Sequence, residues 1–213
     1  GTACAGLAAA VPTKENSIKG VGSGCSILGI RIAYTNPENQ TWITRNSWIV
    51  NAINWAWNVG HADVLSNSWG GGAYSEIISD AFENARKYGR LGKGCVIIAS
   101  AGNDAGAVAF PGNLPNLFTV SASNQFDEFK TKTSQDGETW WGSNFGPEVD
   151  LAAPGVNTWT TDLIDSEGYD PSNYTRFNGT SASAPIVAGA AGLILSRNPA
   201  LTYQQVQDIL RQS

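Results

Sequence analysis

Residues 62–104 read ADVLSNSWGGGAYSEIISDAFENARKYGRLGKGCVIIASAGND. Two apolar runs, ADVLSNS at 62–68 and GCVIIASA at 94–101, flank a stretch with helical spacing at 75–88. Runs so short and continuous fit strands buried on both faces. Strand, helix and strand in that order are the repeating unit of a parallel sheet. Each run also ends in glycine, SWGGG after the first and AGND after the second.

The pattern continues outward. TACAGLAAAV at 2–11 is small and helix-favouring, and residues 12–24 form a Pro/Lys/Glu/Gly/Ser loop. CSILGIRIA at 25–33 reads as another strand buried on both faces, followed by a polar loop at 34–45. Trp48, Ile49, Ala52, Ile53, Ala56 and Trp57 place a helix at about 46–59. Downstream, LFTVSA (117–122) and VDLAA (149–153) are short strands, and the polar segment 123–148 between them reads as surface loop. A long apolar helix covers about 180–197, and a last one about 202–211 has Thr202 as its N-cap.

The expected fold is therefore α/β, in three layers: a mostly parallel sheet with helices on both faces. No repeat or linker divides residues 1–213, which read as a single domain. Such sheets bind ligands beyond the carboxyl ends of their strands. SWGGG, AGND and the turn before GTS should converge on that edge.

Composition narrows the functions. With 42% apolar and 15% charged residues the chain forms a core and is not disordered. Its net charge of −5 argues against nucleic acid or an anionic membrane as partner. The longest apolar stretch, Ala184 to Leu195, contains Pro185, Gly189 and Gly192 and is too short to span a bilayer. Cys4, Cys25 and Cys95 have neither metal-binding spacing nor the even count of a disulfide framework. Methionine is absent, so Gly1 reads as a processed terminus or an artificial boundary.

GTSASAP at 179–185 carries the strongest chemical signal. A lone GTS is ordinarily a helix cap. The other reading makes Ser181 a nucleophile at a helix N-terminus, where free N–H groups favour negative charge. Asn103, in SAGND at 100–104, reads either as a turn residue or as an amide aimed into the cleft. The glycines of SWGGG make a turn and also bare the backbone for pairing with an extended peptide.

In order, GT-xx-AG at 1–6, SWG at 68–70, SAGN at 100–103 and GTSASAPIVAG at 179–189 resemble the subtilisin-like serine proteases, or subtilases. The likeness covers essentially the whole chain, and GTSASAP, Cys4 and SWG look nearest to the kexin-like members. It implies Ser181 as nucleophile and Asn103 as oxyanion donor beside the Ser181 N–H. It further implies Ser68, Trp69, Gly70 and Ser100, Ala101, Gly102 as walls gripping the substrate backbone, with Ala109 near the floor of the P1 pocket. No cofactor is implied for the chemistry. A structural calcium is allowed, since Asn16, Ser17 and Ile18 resemble part of a calcium loop. The implied partner is a peptide or protein substrate, and the implied location is extracellular or the cell envelope.

Subtilases carry their triad in the order Asp, His, Ser. The family's His falls immediately before the Gly-Thr that is Gly1-Thr2 here, and its Asp further upstream. The sole histidine, His61, reads as a solvated helix-end residue. By this reading the chain is a catalytic domain truncated at both ends and inactive alone. Its sheet edges would take up the missing N-terminal segment or another copy. Two alternatives stand beside the endopeptidase: a degenerate scaffold that only binds peptides, and a ligase or macrocyclase using the same acyl-enzyme. GGGA at 70–73 and VAFP at 108–111 contain no acid, so an apolar or aromatic P1 residue is expected rather than arginine.

Overall fold

The structure is a computed structural model and describes residues 1–13, 17–164 and 167–213. Its centre is a four-stranded parallel sheet in the order β3-β4-β5-β6, made of Val64–Asn67, Val96–Ser100, Phe118–Ser123 and Val149–Pro154. The register pairs Leu65 with Ile97, and Ala99 with Thr119. Side chains of β4 alternate between two cores. Ile97 and Ala99 face helices α2 (Asn46–Asn58) and α3 (Glu76–Tyr88) through Ile53, Ile78 and Phe82. Val96 and Ile98 face α4 (Thr180–Arg197) and α5 (Tyr203–Arg211) through Val187, Ala191 and Val206. The expected three layers are present. Thr202 caps α5 in a full capping box with Gln205.

The first helix, α1 (Thr2–Ala9), lies on α4 with backbone against backbone. A Cβ on Gly189 would stand 2.6 Å from the Ala8 carbonyl oxygen and 2.8 Å from the Gly22 nitrogen. Only glycine admits that approach.

Residues 25–32 are not a strand, contrary to the expectation from CSILGIRIA. Among the described residues no strand pairs with them, and β3 ends the sheet. Ile27 and Leu28 are consequently 51% and 47% exposed, while Ile30 and Ile32 lean on the core. The polar stretch that follows contains an antiparallel pair, β1 (Ala33–Thr35) with β2 (Trp42–Thr44). A second antiparallel pair, β7 (Thr158–Thr161) with β8 (Tyr174–Phe177), leads into α4. The pair is tied to the start of α1, since Thr160 and Thr161 donate to the carbonyls of Ala3 and Thr2 at 2.8 and 3.1 Å.

The segment 123–148 is no simple surface loop. The side chains of Lys130 and Asp136 form an ion pair at 2.9 Å, both wholly buried. Nζ of Lys130 also donates to the carbonyls of Thr131 and Glu138, each at 2.6 Å. Burial pushes the Asp136 carboxyl up, but hydrogen bonds from Ser134, Asn124, Lys130 and the Glu138 N–H outweigh it and hold it well below the usual carboxylate range.

Candidate active site

The carboxyl ends of β3 and β4 and the N-terminus of α4 meet at one place. Gly179 enters α4 with φ of +107°, a conformation that favours glycine. A Cβ there would also sit 3.1 Å from Nδ2 of Asn103. Ser181 is the second residue of the helix, so its N–H has no intrahelical acceptor. Its hydroxyl is half-buried and donates weakly to the Ser68 carbonyl at 3.4 Å.

Asn103 is oriented by Thr180. Its Oδ1 accepts from the Thr180 N–H at 2.8 Å and from the Thr180 hydroxyl at 3.0 Å. That hydroxyl in turn accepts from the Gly102 N–H at 3.1 Å. With Oδ1 committed, the Nδ2 end stands over Gly179, and its two hydrogens are the donors left for a third party. In the sequence Thr180 reads only as part of GTS.

The segments Ser68–Gly70 and Ser100–Gly102 both lie beside this helix terminus. Ser68 donates its hydroxyl to the Ser181 carbonyl at 2.9 Å. Gly70 lies against Phe110, whose carbonyl accepts from the Gly71 N–H at 2.8 Å. Ser100 and Ala101 are buried, and the Ala101 carbonyl accepts from the Ala109 N–H at 2.9 Å. A Cβ on Gly102 would touch Ala109 at 3.4 Å, so these two residues share one corner. The Trp69 side chain turns toward the core. Its ring stacks on Phe82 at 6.3 Å, and Nε1 donates to Oδ1 of buried Asn67 at 3.1 Å. Asp104 and Glu76, the acids nearest in sequence, are both exposed.

Cys4 on α1 places its Sγ 3.5 Å from the Ser181 carbonyl oxygen, so the first turn of α1 lies against Ser181. Cys95 lies elsewhere, under α3, and burial pushes its thiol up to about 12. His61 is exposed, at the amino end of β3, whereas Ser68 follows its carboxyl end. A strand advances about 3.3 Å per residue, so His61 lies far from Ser181. Among the described residues no group of three or more His, Cys, Asp or Glu could hold a metal ion. Asn16, the first residue of the supposed calcium loop, lies outside the described residues. No helix among them is long and apolar enough to cross a membrane.

The family model of the subtilases, peptidase family S8, matches residues 1–213. The chain belongs to the subtilase family. It is similar to subtilisin amylosacchariticus of Bacillus subtilis subsp. amylosacchariticus, 31% identical over 99% of this chain and 49% of that protein. Thermitase of Thermoactinomyces vulgaris is 35% identical over 92% of this chain and 61% of that protein. Among solved structures, a protease from Pseudoalteromonas arctica superposes with a TM-score of 0.76 at 27% identity, over 99% of this chain and 62% of that one. This subtilase chain thus spans about half the length of its Bacillus relative. Its sheet and flanking helices are those of the family.

Proposed function

We propose that these residues are the nucleophile- and oxyanion-bearing part of a serine endopeptidase. The observation that carries the proposal is the pairing of Asn103 with Thr180, one residue before Ser181 and 77 residues away from Asn103 in sequence. A side-chain donor is thereby fixed beside a serine at a helix N-terminus.

In the reaction, Oγ of Ser181 attacks the peptide carbonyl and passes its proton to a general base. The carbonyl oxygen becomes an oxyanion, which Nδ2 of Asn103 and the Ser181 N–H are placed to receive. Collapse expels the amine with the proton from the base, and water then hydrolyses the acyl-enzyme. The base and its carboxylate partner are assigned to residues preceding Gly1. The contact of Cys4 with Ser181 favours this, because it points the amino end of α1 toward the nucleophile.

The substrate lies along Ser68–Gly70 and Ser100–Gly102, with its P1 side chain toward Gly102 and Ala109. The kexin-like features, GTSASAP and Cys4, do not extend to an acidic pocket, so cleavage after paired basic residues is not part of this reading. Only protein groups enter the chemistry, and any calcium would be structural. An extracellular or cell-envelope location accords with the family.

A fluorophosphonate probe tests the assignment. In the complete protease it should label Ser181 stoichiometrically, and Ser181→Ala should abolish both labelling and peptide cleavage. Residues 1–213 by themselves should label negligibly, for want of a base. A complete protein that binds peptides without labelling would be a scaffold. One that transfers the acyl group to added amines in preference to water would be a ligase.

A further inference from the structure

Asn144 belongs to none of the motifs above, yet its side chain is spent entirely on the turn that carries Asn103. It is 1% exposed. Oδ1 accepts from the N–H groups of Asp104 at 2.8 Å and Gly106 at 3.1 Å. Nδ2 donates to the Ala101 carbonyl at 3.2 Å, and its own backbone N–H donates to the Gly102 carbonyl at 2.9 Å. Four hydrogen bonds from one residue therefore bracket Asn103 on both sides.

The backbone of the turn requires such a partner. Gly102 has φ of +109°, and Ala105, which carries a Cβ, has φ of +56°. The N–H groups of Asp104 and Gly106 converge on a single point, the concave arrangement of successive amides that wants an electron-rich atom at its centre. Oδ1 of Asn144 occupies that point. The approach is tight, since a Cβ on Gly102 would come within 2.3 Å of Nδ2. Asn103 is held by its side chain to Thr180, but its main chain is shaped from the other side by Asn144.

We infer that Asn144 is a positioning residue for the oxyanion donor: it sets the path of residues 101–106 and so the place of the Asn103 amide. This rests on the oxyanion reading of Asn103 given above. Asn144 is buried beneath the turn, and its effect on turnover passes through Asn103.

The test is a double-mutant cycle on kcat and KM in the complete protease. Asn144→Ala should lower kcat about tenfold to a hundredfold, as displacements near 1 Å do, while KM changes by less than about threefold. In an Asn103→Ala background the same substitution should change kcat by less than about twofold, because the group it positions is gone. Equal factors in the two backgrounds would overturn the inference. An Asn103→Ala protein with full kcat would instead sink the oxyanion reading, and the inference with it. Should Asn144→Ala fail to fold, Asn144→Ser carries the same cycle. Amide exchange on that variant reads the turn directly. Faster exchange at Asp104 and Gly106 is expected, and unchanged exchange at both would overturn the role.

Discussion

Ser68 and Ser181, 113 residues apart, hold each other through two hydrogen bonds that run in opposite directions. The Ser68 hydroxyl donates to the Ser181 carbonyl at 2.9 Å, and the Ser181 hydroxyl points back at the Ser68 carbonyl at 3.4 Å. The first bond exists because of Pro185. Proline has no N–H, so the carbonyl four residues earlier in α4, that of Ser181, lacks its helical donor. Ser68, with a weaker contribution from Cys4, satisfies it from outside the helix.

Replacing Ser68 by alanine should therefore strand that carbonyl. We expect a loss of about 1 kcal/mol in unfolding free energy, the usual net worth of one such bond. A drop in kcat should accompany it, as the first turn of α4 relaxes. Urea denaturation and steady-state kinetics on the complete protease would measure both, and an unchanged stability would remove Ser68 from this role.

Asn103→Leu should act on turnover rather than binding. The oxyanion exists only in the transition state, so the lost interaction appears in kcat. About a hundredfold to a thousandfold is expected, the range known for removing one such donor from a subtilisin. A KM that rises while kcat stays level would point to a wall residue instead.

If the corner shared by Gly102 and Ala109 receives the P1 side chain, as proposed, it sets P1 specificity. No buried carboxylate among the described residues lies in 68–76 or 100–111, and Asp104 and Glu76 face solvent. A guanidinium placed there would lose its hydration without gaining a partner. Peptides differing only at P1 should give higher kcat/KM for leucine and phenylalanine than for arginine. The opposite order would restore a convertase-like pocket.

The Lys130–Asp136 pair makes a pH prediction. A carboxyl held below its unfolded value, about 3.9, adds stability that is fully present above that pH. The contribution disappears as the pH falls through the lower, folded value. Asp136→Asn should cost about 3 kcal/mol near neutrality, the low end for stranding one member of a buried ion pair. The low end applies because the Thr131 and Glu138 carbonyls still hold Lys130. The variant should also lose the part of the acid limb below pH about 4 that belongs to Asp136. Denaturation midpoints followed from neutrality into acid would show whether it does.

The strands flanking α3 were readable because burial on both faces leaves an unbroken apolar run, as Val96–Ser100 shows. Ser181 and Asn103 stand out in sequence because both lie in short motifs at element boundaries, and the structure brings those boundaries together. The same apolar rule misled at 25–32, since a run of Ile and Leu reports a preference for burial but not a neighbour to pair with. Both antiparallel pairs escaped notice, being three or four residues long with Trp42 and Trp159 exposed. Segment 123–148 reads as solvated because it is rich in polar residues, and sequence alone does not show that Lys130 and Asp136 are buried against one another. Asn144 was the least legible. Three of its four hydrogen-bond partners are backbone N–H or C=O groups reached by its side chain, and the fourth is the Gly102 carbonyl. Backbone partners leave no mark in residue identity.

The reciprocal bonds of Ser68 and Ser181 also bear on when, under the proposed function, the protein could begin to cut peptides. Both this closure and that of Asn103 on Thr180 join segments far apart along the chain, by 113 and 77 residues. Contacts of such separation form late, after the local helices and hairpins. During synthesis the walls at 68–70 and 100–102 emerge before the serine that would use them, and the donor amide waits on Thr180 for its orientation. In the proposed protease, a half-made or half-folded molecule would therefore carry the segments assigned to substrate before its serine and donor amide are held in place. Under the proposed function, peptide-cutting capacity would await both of these long-range closures, together with the base assigned to residues preceding Gly1.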